Sequence, residues 1–174
     1  MLPKNTIHQI KYFTALVSAR PNDPDQPVRQ QTFLRAQRTI PNLSIIYGHY
    51  LSNETTMRLA HPVAGASPYV RVIKTEEKGS DVNLATHLLT DGFRGAYDIA
   101  VVITNDSDLL EPIKVVKNEL GLQVGIICPH QHPSRVLQQQ ATFMKRIRSG
   151  VLAASQFPET LTDAQGIFSK PSVW

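Results

Sequence analysis

The first third of the chain opens with an alternating stretch. From Gln9 to Leu16, Ile10, Tyr12 and Thr14 face one way and Lys11, Phe13 and Ala15 the other, the two-residue repeat of a strand. Three prolines and two aspartates between Arg20 and Pro27 then mark an exposed loop. From Pro27 to Thr39 the less polar positions Val28, Thr32, Phe33, Ala36 and Ile40 recur at helical spacing, with Arg29, Gln30, Arg35 and Arg38 between them. Leu43 to Leu51 is β-branched and aromatic (Ile45, Ile46, Tyr47, Tyr50) and predicts a strand. Asn53 to Ser67 has little periodicity and predicts a loop or irregular hairpin, followed by a short strand from Pro68 to Lys74.

The pattern then changes. Ser80 is placed to cap a helix whose inward face is Val82, Ala85, Leu88 or Leu89, and Gly92. Ile99 to Thr104 is an unbroken apolar run, as in strands buried on both faces of a parallel sheet. Asp108 to Leu120 predicts a helix, with Pro112 tolerated in its first turn and Gly121 stopping it. Val124 to Cys128 predicts another buried strand, and Ser134 to Arg148 a last helix with Leu137, Ala141, Met144, Ile147 and Val151 turned inward. Strands alternating with helices imply an α/β fold with a mainly parallel sheet and right-handed crossovers. Residues 1–155 form the expected domain, and the polar, turn-rich residues 156–174 an expected tail.

Composition adds limits. The 174 residues are 41% hydrophobic and 18% charged, which suits one packed domain and excludes a largely disordered chain. No apolar run approaches the roughly 20 residues of a membrane span, and Met1 to Asn5 has no apolar leader core. Cys128 is the only cysteine, so a disulfide framework is excluded and a reducing cytoplasm is the expected location. The net charge of +4 mildly favours an anionic partner.

Two strand-to-helix junctions carry the candidate chemistry. One is Glu76-Glu77-Lys78-Gly79-Ser80-Asp81, the other Thr104-Asn105-Asp106-Ser107-Asp108. Ligands of such sheets bind at the carboxyl ends of the strands. If the two strands are neighbours, Asp81, Asp106 and Asp108 converge there. Clustered carboxylates repel, and a hard cation such as Mg²⁺ relieves them. Such an ion activates water and stabilises displacement at phosphorus. Each Asp alone has an ordinary explanation: Asp108 with Glu111 has capping-box spacing, and Asp81 lies in the first turn of a helix. Asp106 is harder to explain structurally, because it directly follows an apolar run where an unpaired carboxylate is costly.

Together, Glu77-Lys78-Gly79-Ser80-Asp81-Val82-Asn83-Leu84-Ala85 and Tyr97-Asp98-Ile99-Ala100-Val101-Val102-Ile103-Thr104-Asn105-Asp106-Ser107-Asp108 resemble the NYN domain family, the PIN-like group that includes the LabA/DUF88 proteins. The resemblance is strongest over residues 70–150. It implies a PIN-like three-layer α/β/α sandwich and RNA as partner. It further implies ribonuclease chemistry dependent on Mg²⁺ or Mn²⁺, with Asp81, Asp106 and Asp108 as metal ligands and catalytic acids. Lys78, Asn105 and Arg135 are the candidate substrate contacts. The family's usual opening strand, ending in Asp-x-x-Asn, has no counterpart here; Gln9 to Leu16 resembles the second strand. The absent Asp opens an alternative, a catalytically inactive RNA-binding or scaffold protein. The vacant sheet position predicts a second chain or a homo-oligomer. His87 stands where many relatives carry a further acid, and a half-exposed helix histidine explains it equally well.

Other candidates weigh less. Cys128-x-His130-x-His132 lacks a fourth zinc ligand. Lys145, Arg146 and Arg148 could neutralise phosphates, though a solvated helix face is the commoner explanation. No Walker motif or nucleophile elbow is present, which argues against an NTPase or a serine hydrolase. A small-molecule enzyme on the same scaffold is a further alternative, because fold does not dictate function.

Overall fold

In the computed structural model, which describes residues 5–173, the elements follow the expected order with three differences. Met1 to Lys4, part of the leader reading, and Trp174 lie outside the described residues. Strand β1 (Ile10–Ala15) leads through the proline loop to α1 (Gln26–Gln37). Pro27 sits in the first turn of α1, where its missing N–H costs nothing. The Gln30 side chain joins α1 to β1: its Nε2 donates to Ala15 O (2.8 Å) and its Oε1 accepts from Val17 N (2.9 Å). Strand β2 (Leu43–Arg58) is parallel to β1 over Leu43 to Gly48 and then continues past the end of β1.

The first difference lies in that continuation. Residues 53–58, expected in a loop or irregular hairpin, extend β2 and form one arm of a long hairpin, pairing antiparallel with β3 (Tyr69–Lys78), from His49 opposite Lys78 to Arg58 opposite Tyr69. The pairing hides itself from a periodicity search. Neither face of this two-stranded ribbon is covered, so polar and apolar side chains mix on both. Tyr47, Tyr50 and Tyr69 are exposed strand residues.

After α2 (Ser80–Phe93) the architecture becomes parallel. Strands β4 (Ile99–Ile103), β5 (Gln123–Cys128) and β6 (Phe143–Arg146) form a second sheet in that order. A 3-10 turn at Ser107–Leu109 leads into α3 (Leu110–Asn118), and α4 (Arg135–Gln140) connects β5 to β6. Here is the second difference: the expected helix from Ser134 to Arg148 ends at Gln140, and residues 143–146 form an edge strand. Leu137 is buried as expected, but Met144 packs from a strand. Gly125 on β5 makes room for this strand, because a Cβ there would stand 2.1 Å from the Phe143 ring. The core is Leu88, Val102, Leu109, Ile113, Val116, Val124, Ile126 and Leu137.

The fold is therefore mixed α/β, but its first six strands fall into two three-stranded sheets rather than one continuous parallel sheet. Helix α2 spans them, packing on β1, β2 and α3. β1 ends one sheet and β4 the other, so each keeps an unpaired edge among the described strands. Val101 and Ile103, on one face of β4, are exposed, although the apolar run predicted burial on both faces.

The third difference is in residues 156–173. After α5 (Ser149–Ala154), the expected tail contains a hairpin, β7 (Thr160–Asp163) and β8 (Gly166–Ser169), docked on α1. Arg35 of α1 holds it. The guanidinium donates to both carboxylate oxygens of Asp163 (2.6 and 2.7 Å) and lies 4.1 Å from the centre of the Phe168 ring. Phe33 and Phe157 meet edge to face beside it.

Candidate functional site

The first junction depends on two glycines. Gly79 precedes α2 with φ of 92°, a left-handed value that favours glycine, so Gly79 rather than Ser80 occupies the cap position. Gly48 of β2 lies beneath the turn. A Cβ there would stand 2.4 Å from Lys78 O and 3.0 Å from Ser80 N. Asn83 Nδ2 donates to Tyr47 O (3.2 Å), which ties the first turn of α2 to β2. These contacts set the start of α2, with Asp81 in its first turn, against β2 at Gly48, which is level with Ala15 at the end of β1.

The second junction is a chain of local caps. Asp106 N donates to Thr104 Oγ1 (3.0 Å), and Asp106 Oδ1 accepts from Asp108 N (2.9 Å). The structural role of Asp106, not legible from the sequence, is thus to cap the 3-10 turn. Its carboxylate is exposed, so the desolvation expected from the preceding apolar run does not arise. Asp108 does not cap, and Glu111 instead pairs with Lys114 at 3.2 Å.

β3 and β4 belong to different sheets, so the neighbouring strands assumed above are not found. The carboxylates nevertheless lie near enough for their charges to act on one another. Asp81 is pushed above its ordinary pKa first by partial burial against the turn, then by the charges of Asp106, Glu77 and Asp108. Glu77 is a member the sequence reading quoted without assigning a role. Its neighbour Glu76 takes Lys74 (2.7 Å) and Lys78 (3.4 Å), and Glu77 has no ion pair among the described residues. Because β3 runs on to Lys78 rather than ending at the expected Lys74, Glu77 points to the face opposite Glu76.

The donors are hard oxygens, the type that Mg²⁺ and Mn²⁺ prefer. Among the described residues, no three His, Cys, Asp or Glu side chains stand close enough to hold a metal ion directly between them. The arrangement fits an ion held by one or two carboxylates with water completing its shell, as Mg²⁺ usually is. A three-carboxylate cage does not fit.

The remaining candidates separate. Asn105 is occupied by the next loop: its Oδ1 accepts from Ser134 N (2.7 Å) and from Cys128 Sγ (3.3 Å), and its Nδ2 donates to His132 O (3.1 Å). It positions the loop after β5 against the end of β4. Cys128 is buried with its thiol turned to Asn105, which leaves no zinc arrangement with His130 and His132. Lys78 is exposed and paired with Glu76, while Arg135 is exposed at the start of α4. His87 faces β1. Its Nδ1 lies 3.1 Å from Lys11 Nζ, its ring lies 5.7 Å from that of Phe13, and Lys11 also pairs with Asp91.

Comparison with known proteins gives three findings. The pattern that defines the NYN domain matches residues 28–148. The chain is 27% identical to 6-hydroxy-3-succinoylpyridine 3-monooxygenase HspA of Pseudomonas putida over 95% of its own length. It spans 57% of the length of that relative. A crystal structure of VPA0982 from Vibrio parahaemolyticus, a protein of unknown function, superposes with a TM-score of 0.52 at 14% identity. That match covers 82% of this chain and 70% of the other, and shows shared fold alone.

Proposed function

The chain belongs to the NYN domain family, and from that premise we propose that it hydrolyses RNA phosphodiesters with the help of a divalent cation. The observation that carries this reading is the meeting of Asp81, Asp106 and Asp108 from two separate junctions, close enough that the latter two raise the pKa of the first. Carboxylates that repel without a lysine or arginine partner are a site for a cation. One or two of Asp81, Asp106 and Asp108, with water completing the shell, would hold Mg²⁺ or Mn²⁺. When bound, such an ion supplies an activated water and neutralises charge developing on phosphate. The protein's own part is placement. Gly48 and Gly79 fix Asp81, the Thr104–Asp106–Asp108 caps fix the second junction, and Asn105 fixes the loop carrying Arg135. Lys78 and Arg135 are the proposed phosphate contacts.

The test is cleavage of a mixed single-stranded RNA with Mn²⁺ and with EDTA, beside Asp106→Asn. Asparagine caps as well as aspartate, so the variant should keep its Tm and lose cleavage. RNA binding without cleavage by the folded wild type would select the inactive, scaffold alternative. The open edges of β1 and β4 support association with a second chain or a second copy, and a clean monomer by light scattering would remove that part.

A second reading is chemistry on a small molecule at the same edge. It is favoured by similarity to the protein named a monooxygenase, which runs over 95% of this chain. Calorimetric titration with 6-hydroxy-3-succinoylpyridine would decide for it if that compound gave heat and RNA gave none.

A further inference from the structure

Beyond the carboxylates, the same edge of the second sheet carries an unassigned basic groove. The strands β4, β5 and β6 are all parallel, so their carboxyl ends lie together. In register, Ile103 is level with Ile127, and Ile127 with Lys145. One residue further, Thr104 N bonds to Ile127 O and Cys128 pairs with Arg146. Arg146 therefore lies two strands, or about 10 Å, across the sheet from the junction holding Asp106.

Beyond that point the surface is an open concavity of about 1190 Å³. Lys145, Arg146 and Arg148 line it, with Met144, Ile147 and Leu152 as its apolar floor. Among the described residues no Asp or Glu lines it. All three cations are exposed, and none is in an ion pair with a described residue. The chain did not place them on a solvated helix face. The early end of α4 makes this segment an edge strand, so the charges gather at one strand end beside the groove.

We propose that this groove, through Lys145, Arg146 and Arg148, binds the phosphate backbone of single-stranded RNA and leads it along the sheet edge to Asp81, Asp106 and Asp108. The proposal deepens the ribonuclease reading and rests on it for the direction of the track. An opposite-charge gradient along one edge orders the strand: cations grip the backbone, and the carboxylates wait two strands away. Among the described residues no aromatic side chain lines the groove, so none of them stacks bases there and recognition is tolerant of sequence. Affinity then comes from counterion release and falls steeply with salt.

The experiment is fluorescence anisotropy of labelled oligo-U and oligo-A RNA against the 174-residue chain in EDTA, over a salt series. Cleavage plays no part in it, so failure here and failure of the nuclease reading are separable. Arg146→Ala with Arg148→Ala should weaken binding tenfold or more and lower the salt slope by about 1.4, from roughly 0.7 per lost phosphate contact. Arg58→Ala with Arg94→Ala removes the same charge elsewhere and should change little. Oligo-U and oligo-A should bind alike. Equal weakening by both double variants, or an unchanged slope, would overturn the proposal. So would binding to vesicles containing phosphatidylserine with none to RNA. Should the first double variant melt early, Lys145→Gln alone is expected to lower the slope by about half as much, and an unchanged slope there overturns the proposal equally.

Discussion

The two sheets of this protein are built on different principles. The sheet of β4, β5 and β6 is short-stranded, parallel and covered by α2, α3 and α4. It supplies most of the buried core, including Ile113, Val116, Val124, Ile126 and Leu137 at 0% exposure. The sheet of β1, β2 and β3 has strands up to 16 residues long, yet β1, α1, β2 and β3 together bury only Ala15, Leu34 and Ala36 among hydrophobic residues. Strand length and hydrogen bonding are thus separated from burial. The candidate site lies where the two halves meet, one carboxylate at the turn from β3 into α2 and two at the end of β4. A site built in this way can hold its second junction rigidly while its first follows a lightly packed ribbon.

The comparison breaks most sharply at the core. Ile113→Ala in the packed half should cost about 2–5 kcal/mol, whereas Ile73→Ala on the ribbon, 79% exposed, should stay within about 0.5 kcal/mol. Urea unfolding of both variants reads the difference. Next is Gly48→Ala, where the new Cβ would press on Lys78 O and Ser80 N. A loss of about 1–3 kcal/mol is expected, together with reduced cleavage because Asp81 moves with the turn. Asp106→Ala should cost about 0.5–2 kcal/mol by thermal melting, and Asp106→Asn close to nothing, since only alanine removes the cap.

The smallest effects are those of pH, and they have opposite signs in two carboxyls. Arg35 holds the Asp163 carboxyl down at about 2, against an ordinary 3.8, chiefly through its hydrogen bond. A depressed folded value adds stability above about pH 3.8 that is lost as pH falls toward 2. Hydrogen exchange should therefore show β7 and β8 loosening from α1 in that window while β5 stays protected. Asp81 is shifted upward, so its ionisation weakens the folded state as pH rises through its titration. Asp81→Asn, or added Mg²⁺, should raise Tm slightly near neutrality, an effect that Asp163→Asn should reverse in sign.

Legibility followed burial. The elements β5, α2 and α3 stood out because a buried face imposes a period on the side chains. The ribbon from His49 to Lys78 did not, because neither of its faces is constrained and register there leaves no hydrophobic trace. β6 was hidden for another reason. Met144, with Leu137, Ala141 and Ile147, fits a helical stripe as well as a strand, and only packing of Phe143 over Gly125 distinguishes them. Of the site, Asp81, Asp106 and Asp108 were visible as motif residues. Glu77 joined them only when strand polarity placed it opposite Glu76. Asn105 turned out to hold a loop, which no spacing could show because its partners are backbone atoms of residues 132 and 134.

The sequence by itself determined the family, the α/β class and the identity of the acidic junctions, because local turn chemistry and hydrophobic period are written residue by residue. The tertiary structure alone decided that the strands divide into two sheets, that the carboxylates meet across that division, and that three cations share one groove. These are matters of which segments lie side by side. Neighbourhood is set by packing between distant residues, and a single chain read in order carries no record of it.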